Sequence, residues 1–391
     1  MMKHFLAFLA LILTLASCTP SASTEGTEMT LKYATLLTLD EGDSCTIATV
    51  RNPWKKESEL ARYVIVPSAQ PLPHNVPQGT LLRTPLRRNV VTSSVHLSLL
   101  ADLKALDMVA GVTDRSYIVS RSISDSLKDR PAIADFGQSM QPDVERIRAA
   151  RADAVWVSPF ENAGHGALDR LGVPLIECAD YMEVSPLARA EWMRFYGRLV
   201  GRAAEADSLF EAVERDYLSC KDEAEKAFED RHRPTVVSDL RSGNTWYQPS
   251  GASTMGIFIE DAGGHNLWAE RKENGSLPLS IESVMAQGQR ADIWLVKYGM
   301  ANDLTYAQMQ RDFGPYAQFS AWKQHRIYGC NTLKVPFYED VPFHPERLLR
   351  NLASIFSGKT GKGATYYSPL KGGSINSDDG ICMLLGVYFC K

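Results

Sequence analysis

The chain has 391 residues, of which 45% are apolar, and a formal net charge of −4 from 42 Lys and Arg against 46 Asp and Glu. This apolar content suffices for a large core, and a slightly acidic chain without a basic stripe excludes nucleic acid as an expected partner. After Cys18 six cysteines remain, and their wide spacing lacks the paired Cys or His pattern of zinc sites. The sequence therefore predicts mostly free thiols with at most one or two disulfide pairs, no metal site and no bound cofactor.

The N-terminus is typical of an exported lipoprotein. A positively charged start precedes an apolar run from Phe5 to Leu15, which is too short to span a bilayer permanently and describes a secretory signal. The ending Leu15-Ala16-Ser17-Cys18 resembles a bacterial lipobox, so residues 1–18 are interpreted as signal peptide and lipobox with Cys18 lipidated. Residues 19–29 are interpreted as a flexible tether. The alternative is an ordinary cleaved signal with an incidental cysteine. We expect an exported, membrane-anchored lipoprotein that faces the periplasm.

Short strands follow the tether, and then strands alternate with helices. Strands predicted at 33–39, 46–50 and 62–66 form a small β-rich extension. Further strands are predicted at 89–93, 108–112, 154–157 and 174–177, with helices at 95–106, 143–150 and 163–171. Alternation of this kind favours a parallel sheet. Residues 30–184 are therefore interpreted as an N-terminal lobe that includes the β-rich extension.

The segment from residue 186 to about 231 is predicted to form one uninterrupted amphipathic helix. Its apolar residues recur every three or four positions and share one stripe: Tyr196, Leu199, Val200, Ala203, Ala206, Phe210, Val213 and Tyr217. At ~1.5 Å per residue, a helix of roughly 45 residues would exceed the width of a small domain. We therefore interpret residues 185–231 as a linking helix between two lobes.

A second α/β unit follows the linking helix. Strands are predicted at 235–239, 293–297 and 326–328, with helices at 254–262, 280–287, 306–313 and 345–356. These segments indicate a C-terminal lobe over residues 232–357. Residues 358–391 form a tail to which the sequence assigns no role.

The two predicted lobes carry matching motifs. Asp143-Val144-Glu145-Arg146-Ile147 and Ser280-Ile281-Glu282-Ser283-Val284 each place an N-cap candidate two residues before a glutamate. Each then leads to an Ala-Asp pair and an apolar strand, at 152–155 and 291–294. An acidic first turn suits any helix dipole, but two at matching positions indicate an internal repeat.

The ordered series of motifs between residues 88 and 356 resembles the solute-binding proteins of ABC importers for iron–siderophores, haem and cobalamin. Besides the two glutamate motifs it includes the segments 89–94, 105–113, 136–137, 171–174 and 262–266, and Trp322 before Arg326-Ile327-Tyr328. The resemblance implies two Rossmann-like lobes joined by one long α-helix, with the ligand in the cleft between them. It also implies that Glu145 and Glu282 dock onto arginines of an ABC permease dimer. The β-rich extension and the tail depart from the compact family pattern.

The ligand-binding candidates lie in loops after the predicted strands, because open α/β sheets bind ligands beyond the carboxyl ends of their strands. The set is aromatic with a few polar groups, which is typical of a small-molecule cleft. Its members are Ser94, Asp114, Arg115, Tyr117 and Phe160 in the first lobe and Arg241, Trp246, Tyr247, Lys297 and Tyr298 in the second. The aromatic faces could pack on a flat macrocycle, and the cations could meet carboxylates or hydroxamates.

The leading hypothesis is a lipid-anchored binding protein, and not an enzyme, that delivers an iron–siderophore or a cobalamin-type ligand to the permease. A haem-binding protein of the same family is the first alternative and needs one axial ligand, such as Tyr117, Tyr298 or His96. An exported two-lobed enzyme is the second, although no catalytic pair is recognisable. With a rigid linking helix, we expect a preformed cleft and small lobe movements on binding.

Overall fold

The computed structural model describes residues 27–359 and 365–372, which contain 19 strands and 12 α-helices. The strands are β1 (Thr27–Met29), β2 (Leu37–Glu41), β3 (Thr46–Arg51), β4 (Glu59–Pro67), β5 (Thr80–Thr84), β6 (Asn89–Val91), β7 (Val109–Val112), β8 (Ala134–Asp135), β9 (Gly137–Gln138), β10 (Gln141–Pro142), β11 (Ala154–Val157), β12 (Leu175–Glu177), β13 (Thr235–Ser238), β14 (Thr245–Pro249), β15 (His265–Asn266), β16 (Ser276–Ser280), β17 (Ile293–Tyr298), β18 (Ile327–Asn331) and β19 (Ser368–Pro369). The α-helices are α1 (Ser94–Asp102), α2 (Arg121–Lys128), α3 (Val144–Ala149), α4 (Pro186–Glu191), α5 (Met193–Leu199), α6 (Ala203–Ala227), α7 (Thr254–Asp261), α8 (Ile281–Gly288), α9 (Tyr306–Asp312), α10 (Ser320–Lys323), α11 (Phe337–Asp340) and α12 (Pro345–Phe356). The predicted signal segment, Cys18, most of the tether and most of the tail lie outside the described residues.

Two parallel sheets form the two predicted lobes. The N-terminal sheet has the order β12-β11-β6-β7-β8, and the C-terminal sheet has the order β15-β13-β17-β18-β19. All neighbours in these sheets are parallel except the edge pair β18 and β19. The predicted two-lobed α/β fold is therefore confirmed, and the strands β12-β11-β6-β7 of the first lobe match β18-β17-β13-β15 of the second.

The Ala-Asp motifs play the same structural role in both lobes. Asp153 lies just before β11, and its carboxylate accepts hydrogen bonds from the backbone N–H groups of Arg87 at 2.7 Å and Arg88 at 3.1 Å. Asp292 lies just before β17 and accepts from the backbone N–H of Thr235 at 2.8 Å. Each aspartate thus ties the start of one strand to the start of the neighbouring strand. The internal repeat predicted from the sequence has this structural basis.

The N-terminal extension is a five-stranded sheet, ordered β1-β2-β3-β4-β5, that packs on the helices after the first lobe. The chain before β2 is held by buried carboxylates. Glu191 accepts from the backbone N–H groups of Lys32, Tyr33 and Ala34 at 2.8–2.9 Å, and Glu183 accepts from those of Thr35 and Leu36. The inner face of the sheet joins the main core through Leu37, Leu39, Val50, Tyr63 and Ile65. The extension is therefore part of the folded body of the first lobe.

The sequence predicts one uninterrupted helix for the linking segment. The structure instead has three helices: α4, α5 and the 25-residue α6. Gly201 ends α5 with φ of +66°. The N–H of Arg202 donates to the carbonyl of Gly197 at 2.7 Å, and the N–H of Gly201 donates to the carbonyl of Arg198 at 3.4 Å. These two bonds form a Schellman motif, which satisfies the last carbonyls and stops a helix although its apolar stripe continues.

The predicted apolar stripe is otherwise confirmed along α6, where Ala206, Phe210, Val213 and Tyr217 are buried. Gly197 allows α5 to approach α6 closely, because a Cβ at that position would overlap the Cβ of Ala206. At ~1.5 Å per residue α6 is still about as long as a small domain is wide. It packs against α12 of the C-terminal lobe.

One continuous core joins the lobes: buried residues of the extension, the first lobe, the linking helices and the second lobe belong to a single apolar cluster. A buried histidine adds a polar joint, since His344 Nε2 bonds Asp102 of α1 and His344 Nδ1 bonds Glu346 of α12, each at 3.1 Å. Burial acts to lower the pKa of His344, but its two carboxylate partners raise the pKa to about 9. The lobes are therefore locked together on this side of the molecule.

Two predicted elements of the lobes are wrong. The helix expected at 163–171 is only a short 3-10 turn, Leu168–Arg170, because Gly166 lies in the left-handed region with φ of +62°. The loop expected around Trp246 is the strand β14, which pairs with β16. Among the described residues, no helix has both the length and the apolar character needed to cross a bilayer.

Candidate functional site

The lobes meet at the carboxyl ends of their strands, where α11, which follows β18, packs against α1 of the first lobe. The loops after β6 and β7 approach this point from the first lobe, and the ends of β13 and β17 approach from the second. In an open α/β sheet this edge is where ligands bind. We therefore describe the candidate site around α11.

Glu339 of α11 reaches across to the first lobe. Its two carboxylate oxygens accept the backbone N–H groups of Val119 and Ser120, each at 2.7 Å. Glu339 is 3% exposed. Burial raises the pKa of Glu339, and the two N–H groups and the nearby Ser94 side chain act against that rise. We call this contact the Glu339 clasp.

Lys297, at the end of β17, lies on the second-lobe side of α11. Its Nζ lies 5.4 Å from the ring centroid of Phe337, a cation–π distance. The nearby Asp239 carboxylate raises the pKa of Lys297, so the ammonium stays charged at neutral pH. Among the described residues, the Lys297 ammonium makes no direct hydrogen bond, and its contacts are the Asp239 charge and the Phe337 ring.

The other two predicted cationic ligand residues are engaged elsewhere. Arg115 donates to the backbone carbonyls of Leu127, in the last turn of α2, and of Ile133, at 3.0 and 3.1 Å. Arg241 pairs with Asp312 at 3.3 Å and lies over the Phe313 ring. Both guanidinium groups hold protein segments together, whereas the Lys297 ammonium makes no hydrogen bond among the described residues.

The predicted aromatic residues divide into exposed and buried side chains. Tyr117 is 63% exposed, Tyr247 is 48% exposed and Phe160 is 46% exposed. Trp246 has no exposed surface, because β14 alternates its side chains and turns this ring into the core of the second lobe against Trp294. Trp246 is thus a core residue in this structure, contrary to the expectation of a loop position.

Tyr298 follows Lys297 on β17 and points to the opposite face of the sheet. It is half-buried beside the second-lobe core, and a backbone hydrogen bond at Leu304 engages its hydroxyl. Asp114 has φ of +50° and accepts from the backbone N–H of Ser139 at 3.2 Å. Both residues lie at strand ends, but the contacts described here give them structural partners.

The two matched glutamates occupy equivalent positions. Asp143 accepts from the N–H of Arg146 at 3.0 Å and Ser280 from that of Ser283 at 3.2 Å, so both N-caps are confirmed. Glu145 and Glu282 are each the second residue of their helix and both are exposed. A two-stranded antiparallel ribbon precedes each helix, β9 with β10 in one lobe and β14 with β16 in the other. The two glutamates differ in that Glu145 forms a salt bridge with Arg148 at 3.4 Å.

A buried polar network lies beneath the first-lobe side of the site. Asp180 accepts from Tyr196 at 2.8 Å and Arg189 at 3.0 Å, and it bonds His96 at 2.8 Å. Burial acts to raise the pKa of Asp180, but its contacts with His96 and Arg189 lower it to about 2. His96 is 4% exposed, so this network makes a rigid floor.

Two surface cavities lie away from this site. One of about 390 Å³ is lined by β5 and Asp153, and one of about 490 Å³ lies between Asp102 and Leu209. Neither is lined by a predicted ligand residue. Among the described residues, no group of three His, Cys, Asp or Glu side chains is placed to hold a metal ion.

Sequence reasoning missed Glu339 and its neighbour Tyr338, which is 55% exposed. Both follow the strand predicted at 326–328, and the rule that places ligands after strand ends also covers this segment. The clasp itself joins residues 220 positions apart, a pairing that no local pattern reveals.

Comparison with known proteins agrees with this architecture. Residues 90–332 match the periplasmic binding protein family. The chain belongs to this family. The match confirms the family resemblance seen in the sequence. An uncharacterized lipoprotein of Methanocaldococcus jannaschii is 24% identical over 302 residues, which are 74% of this chain and 70% of the relative.

Solved structures of periplasmic binding proteins share the fold. A possible iron-binding solute-binding protein of Staphylococcus epidermidis aligns with a TM-score of 0.55 and 15% identity, over 70% of this chain and 99% of that one. An Fe3+-hydroxamate transport protein of Saccharomonospora viridis aligns with a TM-score of 0.54 and 17% identity, over 70% of this chain and 93% of that one. A periplasmic haem-binding protein of Pseudomonas aeruginosa aligns with a TM-score of 0.52 and 15% identity, over 73% of this chain and 96% of that one. At these identities the likeness establishes the fold and not the ligand.

Proposed function

We propose that this periplasmic binding protein captures an iron–siderophore or cobalamin-type ligand between its lobes and delivers it to an ABC permease. The observation that carries the proposal is the charged Lys297, which makes no hydrogen bond through its ammonium group among the described residues, beside Phe337 where the two lobes meet at the strand ends. Tyr338, which follows Phe337 on α11, and Tyr117, two residues before Val119, are both exposed. A cation between aromatic faces suits a flat or chelated ligand that carries anionic oxygens.

Delivery would use Glu145 and Glu282. Two exposed carboxylates on separate lobes can contact a two-fold permease dimer at two points, and such charges mainly set orientation and association rate. Lipidation at Cys18 would hold the protein at the membrane where the permease lies. The lipoprotein of M. jannaschii supports this part of the proposal.

The test is a tryptophan-quenching titration of the protein lacking residues 1–18 with cobalamin, haem, a ferric hydroxamate and a ferric catecholate. One compound should give saturable quenching, and Lys297→Met should weaken its binding about tenfold to a hundredfold, as expected for a lost charge-assisted hydrogen bond of 1.5–3 kcal/mol. The matched control is Lys323→Met, an exposed lysine of α10. Equal affinity of the two variants would remove Lys297 from the site, and no binding of any compound would refute the ligand class.

Haem is the second candidate, and one observation favours it. Of the three possible axial ligands, His96 is bonded within the Asp180 network and Tyr298 at Leu304, whereas Tyr117 is 63% exposed. Haem binding through Tyr117 would produce a tyrosinate-ligated absorption spectrum that Tyr117→Phe abolishes. An unchanged spectrum in the variant would reject this candidate.

A further inference from the structure

The Glu339 clasp contains a feature that lobe attachment alone does not explain. Two successive backbone N–H groups, of Val119 and Ser120, point at the two oxygens of one carboxylate at equal distances of 2.7 Å. The Ser94 side chain is near enough to lower the pKa of the same carboxylate. Neighbouring N–H groups held in this way form a receptor for a bidentate oxyanion, and the carboxylate of the other lobe fills it here.

The lobes do not need this contact to stay together. The continuous core and the His344–Asp102 bond already join them on the side of α12 and α6. Glu339 also stands on a helix of only four residues, Phe337–Asp340. A rotation of the Glu339 side chain would release the carboxylate without requiring a lobe to move.

The surroundings of the N–H pair are those of the candidate ligand site. Tyr117 precedes Val119 by two residues and is exposed, and Lys297 contacts Phe337 at the start of α11. Phe337 and Glu339 are two residues apart on α11, so the contacts of Lys297 and of the N–H pair are made to the same short helix. Glu339 occupies the N–H pair, and burial makes its own charge costly there, as the raised pKa indicates.

We propose that the backbone N–H groups of Val119 and Ser120 form an oxyanion subsite of the cleft, and that a carboxylate or similar bidentate oxyanion of the ligand replaces Glu339 there. The ligand part of this inference rests on the proposed function. Glu339 is then an internal competitor that lowers the apparent affinity by the fraction of time it leaves the subsite. Removing it should tighten the binding of anionic ligands and leave neutral ones unaffected.

The first experiment needs no natural ligand. In Glu339→Ala the N–H pair is vacated, and titration with sodium acetate should shift the amide NMR signals of Val119 and Ser120 saturably, with slower hydrogen exchange at both. Sodium chloride at equal ionic strength is the salt control. Glu229→Ala, an exposed position, is the protein control and should show no acetate response at Val119. An acetate response in Glu339→Ala no larger than in the control would overturn the subsite.

If Glu339→Ala does not fold, Glu339→Gln provides the same readout. Its amide cannot accept from both N–H groups, so exchange at one of them should rise and acetate should slow it again. Failure of acetate to restore protection in this variant also counts against the proposal.

The second experiment separates this inference from the proposed function. In the ligand panel, Glu339→Ala should bind an anionic ligand about tenfold more tightly than the unmodified protein, a gain of about 1.4 kcal/mol. Acetate binding at Val119 without binding of any panel compound would refute the proposed ligand class and keep the subsite. Panel binding that Glu339→Ala weakens or leaves unchanged would refute the subsite and keep the proposed function.

Discussion

Replacing Glu191 of α4 tests most strongly how the N-terminal extension is attached to the first lobe. It is 1% exposed, and its carboxylate accepts three successive backbone N–H groups, those of Lys32, Tyr33 and Ala34. In Glu191→Gln at least one of these N–H groups faces an amide NH2, which costs about 1–3 kcal/mol for a buried unsatisfied donor. The remaining bonds also lose charge assistance. We expect a loss of about 3 kcal/mol in the free energy of unfolding.

Urea unfolding of the protein lacking residues 1–18 measures this loss, and hydrogen exchange at Lys32 to Ala34 localises it. The matched control is Glu211→Gln on α6, an exposed carboxylate that should change stability by less than about 0.5 kcal/mol. If Glu191→Gln and Glu211→Gln unfold at the same urea concentration, the extension is not held by this carboxylate and the reasoning is wrong.

Three further predictions concern charge and backbone geometry. His344, with its pKa raised to about 9, should contribute its full stabilisation below pH ~6.5, and up to about 3 kcal/mol of stability should be lost as the pH rises through 9. In unfolding measurements against pH, His344→Gln should therefore flatten this alkaline loss of stability. Asp180, with its pKa lowered to about 2, contributes stability that is present above pH ~3.9 and lost as the pH falls toward 2. Asp180→Asn should remove this acid branch and cost about 1–3 kcal/mol, because a buried amide cannot accept from Tyr196, His96 and Arg189 as the carboxylate does. Gly201→Ala should lower the free energy of unfolding by about 1 kcal/mol because the backbone there has a positive φ. Gly197→Ala should lower it more, because the added Cβ would overlap Ala206 of α6. Equal melting temperatures for the two variants would contradict the described packing of α5 on α6.

Local chemistry explains which elements the sequence predicts well. The buried strand Ala154–Val157 is recovered with its bounds because four consecutive apolar residues are flanked by polar ones. The N-caps Asp143 and Ser280 are recovered because capping depends on residues three positions apart. The linking helix is overextended because its apolar stripe continues across Gly201, whereas the Schellman turn is decided by the backbone of one glycine.

The candidate site is less accessible to sequence reasoning, because ligand residues are defined by what remains unengaged after folding. Arg115, Arg241 and Lys297 look equivalent in the sequence, yet carbonyls hold the first and Asp312 holds the second. Trp246 is buried because its strand pairs with β16, a partner that local alternation does not identify. Glu339 acquires its role through a contact with a distant loop of the other lobe.

The central claim is that a ligand lies between the lobes beside Lys297, and a crystal structure of the complex with the compound that binds most tightly tests it most directly. We expect the ligand to contact Lys297 and Tyr117, with the two lobes in nearly the arrangement described here, because one continuous core joins them. A ligand bound instead in the cavity beside β5 or in that between Asp102 and Leu209, or tens of degrees of rotation between the lobes, would contradict the account.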